Sequence, residues 1–206
     1  MKKDDFVTKI HDTKGLWFTS DTHYFHTNII KYCNRPFADV EEMNEALVKN
    51  WNSVVGPDDH VYHLGDVCFG NVEKWNWCLE PGRLNGHIHL ILGNHDITRL
   101  FRPGTMIERF DSVDFQRCLI IDGWTVLLNH CPFGSFSNDI DHKVIQLFGH
   151  IHSGPGEFGN VLPEEYKLQW NQYDVGVDNN NYTPVSWDKC IETMLENERK
   201  QIIDKK

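Results

Sequence analysis

The sequence predicts a layered α/β sandwich, and three observations carry that prediction. Apolar runs of strand length recur along the chain and each is stopped by a polar cluster. One long segment between the first two runs has its apolar residues at helical spacing. A later stretch reads as two strands turning on Asp122-Gly123. Strands that alternate with a helix and then follow one another directly are the pattern of helices packed on sheets.

In chain order the runs are 15–20 (GLWFTS), 60–65 (HVYHLG), 87–93 (HIHLILG), 117–129 (RCLIIDGWTVLLN) and 143–149 (KVIQLFG), and their length and β-branched content favour buried strands. Between the first two, the segment 37–55 places Val40, Met43, Leu47, Trp51 and Val54 on one face of a helix. Asp39 and Glu42 stand at its start like a capping box. The tail from Ser186 sets Trp187, Ile191 and Leu195 on one face, so a closing amphipathic helix is expected.

At 206 residues the chain suits one domain, 1–206, with a well-filled core. With 40% hydrophobic and 24% charged residues it reads as a soluble globular protein, and the start MKKDDFVTKIHD has no apolar core of a signal peptide. A cytoplasmic location is the expectation. The six cysteines form no CxxC pair, which argues against a zinc knuckle or a disulfide framework and for reduced, mostly structural thiols. A net charge of -10 disfavours a broad surface for long nucleic acids, since such a surface neutralises phosphates with Lys and Arg. Bound cations can still attract a phosphate locally.

Nine of the twelve histidines can be sorted by where they fall. Asp21 and His23, Asp66, Asn94 with His95 and Asp96, His130, and His150 with His152 all come just after an apolar run. Loops at the carboxyl ends of strands share one edge of an α/β sheet, and ligands bind at that edge. The tetrapeptide GHIH occurs twice, and position separates the two copies. His150 and His152 follow the run VIQLF, whereas His87 and His89 precede LIL and belong to the opposite end of their strand. His60 and His63 likewise lie at the start and inside of their run.

Imidazole and carboxylate together suit Mn, Fe, Zn, Co or Ni, with manganese favoured, and a carboxylate can bridge two ions. The i, i+2 spacing of Asp21 with His23, and of His150 with His152, puts each pair on one side of an extended segment. Gly65, Gly93 and Gly149 fall where the backbone must turn close to a cluster.

The order D-x-H, G-D, G-N-H-D, H and G-H-x-H, here Asp21/His23, Gly65/Asp66, Gly93 to Asp96, His130 and Gly149/His150/His152, resembles the calcineurin-like metallophosphoesterase superfamily. FTSDTHYFHTNIIKYCNRPF and MNEALVKNWNSVVGPDDHVYHLGD look like its branch of small bacterial and phage proteins. The resemblance implies a four-layer α/β/β/α sandwich, two mixed sheets flanked by helices, with a dinuclear site at the strand ends. One ion would take Asp21, His23, Asp66 and His152, the other Asp66, Asn94, His130 and His150, with Asp66 shared. His95 would be the catalytic histidine, and Asp96 would either orient it or be structural.

The expected reaction is hydrolysis of a phosphate ester, a diester in preference, by a hydroxide bridging the two ions, with His95 as general acid. Counting the ions, two aspartates and the hydroxide leaves a local charge of about +1, which attracts an anionic ester despite the acidic chain. The substrate expected is a small phosphate ester, nucleotides included, with no long nucleic acid and no membrane as partner. The residues after His152, SGPGEFGN, read as an open loop and favour a diester. His26 is a candidate substrate contact, and Arg35 a bidentate phosphate clamp set against a surface salt bridge. Tyr24, Phe25, Phe133 and Phe136 either form a wall for an aromatic group or pack in the core. The competing readings are a nuclease or nucleotide phosphatase on the same site, and a metal-binding scaffold without chemistry, which would be expected to lack part of the set.

Overall fold

The computed structural model of the protein describes residues 7–136, 143–153 and 168–204. Its strands are β1 (Val7–Ile10), β2 (Leu16–Thr19), β3 (His60–His63), β4 (His87–Ile91), β5 (Phe110–Asp114), β6 (Gln116–Ile121), β7 (Trp124–Asn129), β8 (Val144–Phe148), β9 (Gln172–Asp174) and β10 (Val185–Ser186). The helices are α1 (Thr27–Tyr32), α2 (Val40–Val54), α3 (Val72–Leu79) and α4 (Trp187–Asp204). Two mixed five-stranded sheets result, in the orders β10-β2-β3-β4-β5 and β1-β6-β7-β8-β9. Among the described residues no helix is long and apolar enough to cross a membrane.

Alternation along the strands builds two cores. In β3, Val61 faces one way and Tyr62 the other, as the pleat requires. Val61, Ile88 and Leu90 pack against Met43, Leu47 and Trp51 of α2 and against Trp75 and Leu79 of α3. Phe18, Tyr62, Leu64 and Ile91 face Leu119, Val126, Leu128, Ile145 and Leu147 of the second sheet. Each such aliphatic side chain, essentially sealed from water, stabilises the fold by about 1.5–3 kcal/mol.

The helix at 37–55 forms as read. Asp39 is its N-cap and accepts from Glu42 N at 2.8 Å, while the Glu42 carboxylate reaches back to Ala38 N at 2.7 Å. The hairpin at Asp122-Gly123 also forms, pairing Ile121 with Trp124. In α4 the buried stripe runs through Trp187, Cys190 and Met194, with Ile191 only partly buried against it. The apolar face is therefore rotated from the expected Trp187, Ile191, Leu195 line. The strands β1, β5, β9 and β10 and the short helices α1 and α3 carry too few residues of regular periodicity to be read from sequence.

Strand direction positions the site. β2, β3 and β4 run parallel, as do β7 and β8, so their carboxyl ends gather at one edge of each sheet. Gly149 N donates to His130 O at 2.8 Å within the second sheet, and the two edges are tied together where His150 N donates to the Asp21 carboxylate at 2.8 Å. Of the expected open loop after His152, only Ser153 lies within the described residues.

Candidate functional site

All seven ligand candidates sit on loops leaving β2, β3, β4, β7 and β8. The loops after β2 and β3 stay side by side beyond their strands, with Asp21 N donating to Gly65 O at 2.9 Å and His23 N to Asp66 O at 3.0 Å. The expected extended geometry is not what presents the ligands. Asp21, His23, Asp66, His150 and His152 have φ of 57°, 49°, 57°, 74° and 46°. Left-handed backbone is uncommon outside glycine, though Asp and His adopt it more readily than most, and it concentrates where function demands a particular aim. Side chains two apart still converge because both residues of each pair take the same unusual conformation.

Close backbone passage accounts for two glycines. A Cβ on Gly93 would overlap the Asp66 carboxylate and amide, and one on Gly149 would overlap Ser20 and the Asp21 carboxylate.

The ligand atoms form two groups. In the first, His23 Nε2 lies 3.8 Å from Asp21 Oδ1 and 3.6 Å from Asp66 Oδ2, and His152 Nε2 lies 3.8 Å from Asp21 Oδ1. In the second, His130 Nε2 lies 3.5 Å from Asp66 Oδ2, 3.0 Å from Asn94 Oδ1 and 3.2 Å from His150 Nδ1. Bonds of about 2.0–2.2 Å to one ion set its ligands roughly 3–3.5 Å apart, close to these spacings. Asp21 Oδ1 and both ring nitrogens of His23 are buried without a hydrogen-bond partner. Each such atom costs about 1–3 kcal/mol, and a cation coordinated by Asp21 Oδ1 and His23 Nε2 would remove the deficit at those two. The donor set therefore fits divalent metal. Cys131 stands among His130 and His150, and Cys33 beside His152 and Asp178.

Hydrogen bonds to the far ring nitrogens fix which nitrogen faces the site. His130 Nδ1 is 2.8 Å from Leu64 O, and His152 Nδ1 is 2.7 Å from Asp178 Oδ2. Carbonyl and carboxylate only accept, so both Nδ1 atoms donate, which leaves Nε2 as the nitrogen that could ligate an ion among the carboxylates, as in metal-ligating imidazoles. Without ions, the carboxylates act as the counter-charge. Burial lowers the His130 pKa, but the Asp66 hydrogen bond and Asp21 outweigh it and carry it up to about 9. His152 behaves alike, pushed up to about 11 by Asp21 and Asp178 against burial. Burial and the neighbouring His152 hold His23 well below its ordinary value. Burial would raise Asp66, yet the His130 hydrogen bond keeps its pKa low.

His95 is held differently. Its Nε2 is 3.8 Å from Asp66 Oδ2, while Arg99 Nη1 approaches its Nδ1 at 3.4 Å, so Nε2 is the ring nitrogen turned toward the carboxylates and, among the described residues, no acceptor stands behind the ring. Asp96 makes no bond to this ring. It accepts from Asp66 N at 2.8 Å, Gly93 N at 2.9 Å and Val67 N at 3.0 Å, which makes it the brace of the Asp66 and Gly93 loops. Burial and the nearby Asp66 charge pull its pKa up to about 7.

The Arg35 phosphate clamp is corrected by the structure. Its side chain is fully buried, with Nε and Nη2 each 2.8 Å from the Asp178 carboxylate, Nη2 2.7 Å from Asp21 O and Nη1 2.9 Å from Thr22 O. Its hydrogens face protein on every side, so it shapes the Asp21 loop and holds Asp178 under His152. Asp178 and Asp174 escaped the sequence reading because VDN and YDV carry no ligand pattern. Asp174 accepts from Ser153 and Gly176 N.

His26 does flank the site. Its ring stacks on Phe69 at 4.2 Å and lies 5.3 Å from His23, and burial takes its pKa down to about 4. Tyr24 and Phe25 belong to the helix-side core, and Phe133 packs with Phe136 at 6.3 Å. The aromatic wall is His26 and Phe69 instead. At the other end of the sheet, His87 bonds Asp111 at 2.9 Å and His89 bonds Ser112 at 3.1 Å and His60 at 3.0 Å. His63 is buried, accepting from Gly65 N and bonding Thr22 Oγ1 at 3.0 Å.

Two mixed sheets that present Asp, Asn and His from five loops at one edge define a metal-binding phosphoesterase fold. The chain belongs to the calcineurin-like phosphoesterases, whose family profile matches residues 15–124. It is 37% identical to an uncharacterized protein of Methanocaldococcus jannaschii over 86% of this chain and 90% of that one. It is 30% identical to the gene 66 protein of Mycobacterium phage D29, over 68% of this chain and 79% of that one. A crystal structure of a protein of unknown function from Aquifex aeolicus shares the fold, with a TM-score of 0.60 and 23% identity over 86% of this chain and 97% of the other. Membership supports metal-dependent hydrolysis of phosphate esters in general.

Proposed function

We propose that the protein is a cytoplasmic, dinuclear metal-dependent hydrolase of small phosphate esters, diesters in preference, with His95 as general acid. The observation that carries this reading is what stands behind each histidine. Behind Nδ1 of His130 and His152 is an acceptor that fixes the ring as a ligand, whereas behind Nδ1 of His95 is the Arg99 cation. Asp66 Oδ2 lies within 3.6 Å of His23 Nε2 and 3.5 Å of His130 Nε2, which supports its assignment as the shared ligand. Asp21, His23, Asp66 and His152 would hold one ion and Asp66, Asn94, His130 and His150 the other, with manganese favoured from a set that also suits Fe, Zn, Ni and Co.

Bound there, two divalent ions supply an activated water and neutralise charge on the phosphoryl group. The chain does the rest. Asp178 and Leu64 O hold the ligand rings in the right tautomer, and Asp96 braces the Asp66 loop. His95 turns its Nε2 toward the reacting region, where as the imidazolium it would protonate the departing oxygen and be left neutral. Arg35 is spent inside the protein, so it cannot match the second negative charge of a monoester; this favours a diester. The cytoplasmic assignment draws on six free cysteines.

His95→Ala tests the assignment. It should keep its metal and slow esters of alkyl or ribose leaving groups by about 10² to 10⁴, with a clearly smaller loss on p-nitrophenyl esters. Equal losses on both, or loss of an ion, would defeat the role given to His95.

A further inference from the structure

Beyond His95, on the side away from Asp66, stands a cation that touches the acid through one nitrogen only. The Arg99 guanidinium lies 4.2 Å from the centroid of Phe69. Its Nη1 is 3.1 Å from His95 O, 3.4 Å from His95 Nδ1 and 3.3 Å from Thr98 Oγ1. Phe69 is itself fixed, stacked on His26 at 4.2 Å and meeting the His95 ring edge-on at 5.3 Å. The planar cation is thus held by its face and by one nitrogen. Among the described residues Nε and Nη2 of Arg99 have no bonded partner, in contrast to Arg35, whose hydrogens are consumed. A guanidinium packed on an aromatic ring loses little freedom when it binds an anion bidentately.

Position decides what it would meet. The acid hydrogen on Nε2 of His95 faces the departing oxygen, and Arg99 sits at Nδ1, one imidazole width further out. A group reached by Arg99 therefore belongs to the leaving portion of the substrate, not to the phosphoryl group under attack. We propose that Arg99 binds a second phosphate carried by the leaving group. The substrate class is then a phosphodiester whose leaving alcohol is itself phosphorylated, as in a short nucleotide chain with a terminal phosphate. The proposal rests on the reading of His95 as the acid.

The test compares, within each variant, metal-replete hydrolysis of thymidylyl-thymidine with the same dinucleotide phosphorylated at either end. A charge-assisted contact of this kind is worth a preference of about tenfold or more. The wild type should show that preference for one phosphorylated form, mainly through KM. Arg99→Ala should bring the ratio near unity, and Arg99→Lys should restore part of it. Because the ratio is internal to each protein, a general loss of activity cancels. Calorimetric binding gives a readout apart from turnover: thymidine bisphosphate should bind more tightly than the monophosphate to the wild type, and the margin should vanish in Arg99→Ala. A wild type that cleaves both dinucleotides equally, or a variant that keeps the wild-type ratio and binding margin, overturns the proposal while leaving the hydrolase reading intact. A metal-replete wild type that cleaves no ester at all overturns the hydrolase reading, and this proposal with it.

Discussion

Replacing Arg35 by Met separates a structural anchor from a substrate clamp. The side chain is 0% exposed and its partner Asp178 is 2% exposed, so the variant would leave a buried carboxylate with His152 as its remaining side-chain partner. It would also strip donors from Asp21 O and Thr22 O. Removing one partner of a buried ion pair costs about 3–5 kcal/mol, and the orphaned carbonyls push toward the upper end. With a urea m-value of about 2 kcal/mol per molar, the midpoint should fall by about 2 M. The assay is equilibrium urea unfolding of chelator-treated protein followed by tryptophan fluorescence, so that metal binding does not mask the loss. A drop below about 1 kcal/mol, accompanied by a raised KM with metal content unchanged, would refute the anchor and restore the phosphate clamp.

Metal stoichiometry tests the shared carboxylate: reconstituted wild type should hold two ions per chain by elemental analysis, and Asp66→Ala should weaken both sites, whereas retention of one ion at full affinity would refute the bridge. His63 gives a pH dependence. Burial takes its pKa from 6.5 down to about 3, so the folded chain keeps it neutral where the unfolded chain gains a proton. Its contribution is present above pH 6.5 and lost as pH falls toward 3, at up to about 1.4 kcal/mol per pH unit. His63→Gln should flatten that part of the stability curve in urea titrations, and parallel curves for the two proteins would refute it.

The site was more legible in the sequence than the fold around it. Asp21, His23, Asp66, Asn94, His95, His130, His150 and His152 follow strong apolar runs, and the end of the strand on which each lies can be read directly from the chain. The same reasoning separated His150 from His87 without any coordinates. Short elements such as β10 and α1 have too few residues to display a period. The supports were illegible for a different reason. Arg35 and Asp178 are 143 positions apart, and nothing local in NRPF or VDN signals that they meet. The left-handed backbone at Asp21 and His152 was hidden too, because even for Asp and His, which adopt positive φ more often than most residues, it is the minority conformation.

The bond between Arg35 and Asp178 also sets an order of assembly. Arg35 belongs to the first fifth of the chain, yet the carboxylate that neutralises it lies in a 3₁₀ turn, Val177–Asn179, that follows almost all the strands. Until that turn docks, the guanidinium has no counter-ion and His152 has no acceptor for its Nδ1 hydrogen. A cation held by Asp21, His23 and His152 would therefore meet its full ligand set only once that turn has docked.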